Sequence, residues 1–259
     1  GYLKSKGEDV SLVGRRDSVE AIRNSGLLIS GVRGDFKVKI DAFEALNQKF
    51  DLIILAVKTQ DIENTLKGNQ RYFKDTLVVS TQNGVRADSI LAGHFSKADI
   101  ISSIVMFGST YLEPSKIVHN FEGKWILGWP FIQNDDRLKD IASLLGKVFP
   151  AIISDDIIGM KWLKLFVNAN NCLPAITGKS VQEAFANLEL CKISMKIWQE
   201  GLNIVNSAGI KLASLPDFPL ERLTKLAALP IEESAKIFSG IMTDLSKEPL
   251  YGSILQSIM

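Results

Sequence analysis

The first 150 residues alternate short β-branched runs with stretches of helical spacing, the pattern of a mostly parallel sheet with crossover helices. Strands are predicted over 9–13, 27–32, 36–40, 52–58, 76–81 and 100–107. Arg33-Gly34-Asp35 between the second and third runs marks a hairpin. The run from Asp51 to Val57 is apolar without alternation, which predicts a strand covered on both faces. Helices are predicted over 18–25, 60–73 and 86–95, a second hairpin from 117–120 and 125–128, and a closing helix over 135–149. Beyond about residue 152 the alternation stops and only helical patterns remain, broken by Pro174, Gly178, Gly209, Pro216, Pro219 and Pro230. The expected architecture is α/β: a Rossmann-like domain over 1–151 followed by an all-helical domain over 152–259.

Composition adds exclusions. With 259 residues, 46% hydrophobic and 23% charged, the chain has enough apolar material for two ordinary globular domains. A net charge of +1 argues against a nucleic-acid or anionic-membrane partner, and no apolar run reaches membrane-span length. Cys172 and Cys191 do not make a disulfide framework, so a reducing, cytoplasmic location is expected. His94 and His119 have no metal-ligand spacing, and no metal is expected.

The candidate chemistry is concentrated in Lys161-Trp-Leu-Lys164-Leu-Phe-Val-Asn168-Ala-Asn-Asn171. Lys164, Asn168 and Asn171 stand at i, i+4 and i+7 and share one face of a helix. Two readings are open: a core lysine whose head reaches water, or a general acid whose pKa is lowered by burial. Leu12-Val-Gly-Arg15-Arg16 follows a short strand. In doubly wound folds an Arg at the end of the second strand accommodates a 2′-phosphate, so Arg15 and Arg16 point to NADPH, against the plainer reading of a solvated turn. Ala56-Val-Lys58-Thr-Gln60 and Thr81-Gln-Asn83-Gly84 end the next two strands, where ligands bind in such sheets. Asn-Gly is also a common plain turn. Ser253, in Gly-Ser-Ile-Leu-Gln-Ser, offers a hydroxyl or a helix cap. No G-x-G-x-x-G loop follows a strand. Val10–Val13 is expected to be the second strand of the domain, with the first strand and its glycine loop upstream of Gly1.

Val-Gly-Arg-Arg, Ala-Val-Lys-Thr-Gln, Gln-Asn-Gly-Val, Lys-Trp-Leu-Lys-Leu-Phe-Val-Asn and Gly-Ser-Ile-Leu-Gln-Ser stand in the order seen in the ketopantoate reductase family, which the whole chain resembles. The resemblance implies an NADPH-dependent reduction of 2-dehydropantoate to (R)-pantoate, on the route to pantothenate and coenzyme A. It places the catalytic acid on Lys164 and cofactor contacts on Arg15, Arg16, Lys58, Gln60 and Asn83. Substrate contacts fall on Asn83, Asn168 and Ser253. The family's second Asn falls on Cys172, so Asn171, one residue earlier, is the candidate for that role. A Glu of the family would fall past Met259, and the chain is expected to be incomplete at both ends and inactive alone. The shifted Asn leaves room for another small 2-oxo acid as substrate, and a homodimer is a possible assembly. The rivals are a hydroxy-acid or opine-type dehydrogenase, which would use a His donor, and a non-catalytic dinucleotide sensor, which would not need Lys164.

Overall fold

The computed structural model describes residues 1–246 and 249–251. The chain divides into two compact units, Gly1–Ile157 and Ile158–Met259. The sequence places the change of character at 151/152. The structural division falls later because residues 151–153 still form a strand of the first unit.

The first unit begins with helix α1 (Tyr2–Ser5), strand β1 (Ser11–Val13), helix α2 (Arg16–Ser25), and strands β2 (Leu27–Gly31), β3 (Phe36–Val38), β4 (Asp41–Phe43) and β5 (Leu52–Leu55). Helix α3 (Ile62–Leu66), β6 (Leu77–Ser80), α4 (Ala87–Leu91), β7 (Ile100–Val105), β8 (Gly108–Glu113), β9 (Lys116–Phe121) and β10 (Trp125–Gly128) follow. The unit closes with α5 (Asp136–Gly146) and β11 (Ala151–Ile153). A five-stranded sheet has the order β11-β10-β7-β6-β5, parallel except for β10 against β7. A four-stranded sheet has the order β3-β2-β9-β8, and β1 pairs in parallel with β4.

The hairpin of β2 and β3 forms as the Arg33-Gly34-Asp35 turn predicts, with Leu27 opposite Val38. The second expected hairpin does not form. Residues 117–120 lie in β9, which pairs with β8 and, in parallel, with β2, whereas 125–128 form β10 in the other sheet. Short sequence separation favours a hairpin only where a tight turn closes it, and the linking Glu122-Gly123-Lys124 instead carries the chain between sheets. The run at 52–58 forms β5, and its alternate residues pack into two different cores, Leu52 and Ile54 into one and Ile53 and Leu55 into the other, so both faces are covered as expected. β5 nevertheless ends the strand order, and Leu52, Ile53 and Ile54 are only half-buried, whereas β7 in the interior of the sheet is buried almost throughout. The helix expected over 60–73 is interrupted after Leu66, where Gly68 is left-handed at φ +81°. Asp135 caps α5 by accepting from the Leu138 amide, which is why that helix starts where the sequence suggests.

The second unit is helical: α6 (Ile157–Ala169, its first residue belonging to the first unit), α7 (Cys172–Thr177), α8 (Val181–Phe185), α9 (Leu188–Ser207), α10 (Leu220–Ala228) and α11 (Ile231–Thr243). A capping box between Ser180 and Glu183 starts α8, and Asn187 caps α9. Trp198, Phe185 and Phe238 stack edge-to-face at its centre. Among the described residues no helix is long and apolar enough to cross a membrane, and no group of three or more His, Cys, Asp or Glu is placed to hold a metal.

Candidate functional site

In the first unit, β5 and β6 run parallel, so the residues after them share the carboxyl edge of the sheet. Lys58 and Gln60 stand there exposed, on a single 3₁₀ turn that follows β5. Asn83 is exposed beyond β6, and Gly84 turns the chain at φ +83° with open space where a side chain would stand. Such a turn lets a ligand approach the backbone closely.

What fixes these loops is Gln82, which the sequence reading did not single out. Its buried amide donates to the carbonyls of Leu55 and Val57, each at 2.8 Å, and accepts from the Ser80 hydroxyl at 2.9 Å. One side chain thus ties the end of β5, just before Lys58, to the end of β6, just before Asn83. Within the polar run Ser80-Thr-Gln82-Asn83 nothing in the sequence set it apart. Replacing Gln82 with Leu removes the Gln82 bonds to the Val57 carbonyl and the Ser80 hydroxyl, while the Leu55 carbonyl keeps its bonds from Thr81, and is expected to cost roughly 1–3 kcal/mol in urea unfolding, a loss that an unchanged midpoint would contradict.

Arg15 and Arg16 end the separate β1–β4 pair. Both are exposed at the start of α2, but they are not equivalent. Arg16 is spent on Glu20, Nε to Oε1 at 2.8 Å, which raises its pKa. Arg15 makes no ion pair among the described residues. Arg15 and Lys58 are thus exposed cations at strand ends that make no ion pair among the described residues.

In the second unit, α6 carries Lys161, Lys164 and Asn168 at spacings that keep them on adjoining turns. Burial lowers the Lys164 pKa from its ordinary 10.5 to about 8, and the ammonium of Lys161 three residues earlier pushes in the same direction. Lys161 is itself 2% exposed and its position relative to Lys164 was the overlooked clue. α6 is held by α9: the buried Trp198 indole donates to the Phe166 carbonyl at 3.0 Å. A methyl on Gly201 of α9 would lie 2.7 Å from the Phe166 ring, so only glycine permits this approach.

After Ala169 the helix breaks, so Asn171 sits in a turn rather than one helical turn beyond Asn168 on a continuous face. Asn168 and Asn171 are half-buried, and the Asn171 side chain does not cap α7. Ser253 lies outside the described residues. Neither histidine is placed as a proton donor in this unit. His119 is buried in the first unit between the Tyr2 hydroxyl at 3.1 Å and the Phe121 carbonyl at 3.0 Å, and His94 meets Glu63 at 2.8 Å.

Residues 1–129 match the family model described as Ketopantoate reductase PanE/ApbA. A 2-dehydropantoate 2-reductase of Pyrococcus horikoshii is 28% identical over 250 residues, 95% of this chain and 79% of the relative. The enzyme of the same name from Pyrococcus abyssi is 29% identical over 217 residues, 82% of this chain and 70% of the relative. Residues 1–129 belong to the ketopantoate reductase family, and the chain is similar to 2-dehydropantoate 2-reductases over most of its length. The fold is likewise that of solved relatives. A PanE/ApbA family ketopantoate reductase from Ralstonia eutropha superposes with a TM-score of 0.75 at 21% identity, covering 100% of this chain and 91% of that one. A D-mandelate dehydrogenase solved with NADH and anilino(oxo)acetate gives a TM-score of 0.81 at 21% identity, covering 98% and 79%. The Rossmann-like domain followed by a helical domain is therefore the family architecture, and the chain is of the oxidoreductase kind.

Proposed function

We propose that the protein reduces 2-dehydropantoate to (R)-pantoate with NADPH in the cytoplasm, and that Lys164 is the general acid. The observation that carries this reading is Lys164 itself: an ammonium on a packed helix whose pKa is lowered to about 8. At pH 7 such a group is protonated about ten to one and still gives up its proton readily, the balance that a general acid needs.

When bound, a reduced nicotinamide supplies the hydride to the ketone carbon. Lys164 donates a proton to the oxygen as negative charge gathers there, and its remaining positive character stabilises the charge before the transfer is complete. Asn168 and Asn171 are proposed to hold the substrate with Ser253, and Asn83 to lie against both substrate and carboxamide. As neutral amides they orient polar groups without offering a competing base. Arg15 is proposed to receive the 2′-phosphate, with Arg16, Lys58 and Gln60 as further cofactor contacts. What supports this assignment is that Arg15 makes no ion pair among the described residues and follows β1, the strand expected from the sequence to be the second of the domain.

The discriminating experiment is turnover by the full-length protein. Consumption of NADPH that depends on 2-dehydropantoate and yields pantoate supports the reading, and cofactor binding without turnover of any 2-oxo acid contradicts it.

A further inference from the structure

The first unit carries a second group of cations, away from the strand ends that hold Arg15, Lys58 and Asn83. They line a cavity of about 620 Å³ between the last turn of α2 and the stretch from Lys37 to Phe43. α2 is 10 residues long, so this cavity stands roughly 15 Å along the helix from Arg15. Lys4 comes from α1, Arg23 from α2, and Lys37 and Lys39 flank the buried Val38 at the end of β3. The acid among the lining residues is Asp41, and it pairs with none of the four. Arg23, Lys37 and Lys39 make no ion pair among the described residues, and Lys4 has a long one, 3.8 Å, to the exposed Asp9.

Two contacts fix the wall of this cavity. Arg23 Nε donates to the Ala42 carbonyl at 2.9 Å, which holds the guanidinium against β4 and leaves its two terminal amino groups without a hydrogen bond among the described residues. A methyl on Gly26 would lie 3.6 Å from Lys37 Cε, so the lysine stem runs across the backbone at that glycine. Ile22 and Ile40, both buried, supply an apolar floor. Four cations around a partly apolar cavity repel one another. An anion placed among them turns that repulsion into attraction, more strongly than in open water. Donors arriving from three elements need acceptor oxygens in three directions, which a tetrahedral phosphate offers and a planar carboxylate does not. The volume is that of a small-molecule site, and a net charge of +1 argues against a nucleic-acid polymer as the occupant. We propose that this cavity binds a small phosphorylated molecule, at a site separate from that of the dinucleotide. Such binding does not require the reduction proposed above.

The probe is inorganic pyrophosphate, titrated calorimetrically at low ionic strength into the full-length protein carrying Arg15→Ala, so that the opposite end of α2 contributes no guanidinium. One equivalent is expected to bind. Adding Lys37→Ala and Lys39→Ala is expected to weaken binding about 10- to 100-fold. Arg23→Gln keeps a donor for the Ala42 carbonyl and is expected to weaken binding by a comparable factor, which preserves the test if the double lysine variant folds poorly. Removing two exposed lysines from the second unit instead, Lys196→Ala with Lys236→Ala, is expected to change the affinity less than about twofold. Binding that survives both cavity variants, or that falls equally with the remote pair, overturns the site. Absence of binding also overturns it, the result if Lys37 and Lys39 merely keep the open edges of β3 and β4 from pairing with other chains. Citrate, similarly charged but built of planar carboxylates, is expected to bind about tenfold more weakly, and equal affinity would overturn the phosphate assignment.

Discussion

Replacing Lys164 with alanine is expected to lower kcat for ketone reduction by about 10²–10⁴-fold while leaving the dissociation constant of NADPH within a factor of three. Two effects combine in that loss. The proton has no other side-chain donor on α6 at that position, and the developing oxyanion loses the nearest fixed positive charge. The neighbour Lys161 does not substitute, because it is buried three residues earlier and its role is to press the Lys164 ammonium toward release. Arginine at position 164 restores charge but holds its proton across the whole accessible pH range, so Lys164→Arg is expected to recover only the electrostatic part of the loss and to stay well below the unaltered protein. Steady-state kinetics with a separate fluorescence titration of NADPH checks both halves. Loss of cofactor binding in parallel with turnover would move Lys164 from acid to structural element. Unchanged turnover would leave the protein as a dinucleotide-binding module.

Replacing Arg15 with alanine is expected to raise KM for NADPH about 10- to 100-fold and to leave KM for NADH nearly unchanged. The preference between the two cofactors would then fall by the same factor. A guanidinium on a phosphate is a charge-assisted, often bidentate contact, and only the phosphorylated ribose can use it. Arg16→Ala is expected to have a smaller effect, since Arg16 is already held by Glu20 at 2.8 Å. Equal KM changes for both cofactors in Arg15→Ala would show that the residue reads no phosphate.

These residues differ in how readable they were. Local spacing carried the β2–β3 hairpin, the Asp135 cap of α5 and the placement of Lys164 on a helix, because each depends on groups within a few positions of one another. The β9 pairing was not readable, since the partner strand β2 lies far back in the chain and nothing in residues 117–120 names it. The position of β5 at a sheet edge is likewise a property of strand order, and an apolar run reads the same at an edge as at the centre. Gln82 looked like filler in a loop motif until its two carbonyl partners from another strand were in place. Helical spacing drew attention to Asn171, but the break after Ala169 takes the turn off that spacing and buries the neighbouring Asn170 instead.

The most direct check on the proton-donor assignment is the rate of hydride transfer in a single turnover, followed from pH 6 to pH 10 with 2-dehydropantoate. A depressed lysine pKa predicts a rate that is level while the ammonium is protonated and declines about tenfold per pH unit above about 8, with that decline absent from the residual rate of Lys164→Ala. A rate that stays level to pH 10, or a decline near pH 8 that persists after Lys164 is removed, would assign the proton to another group.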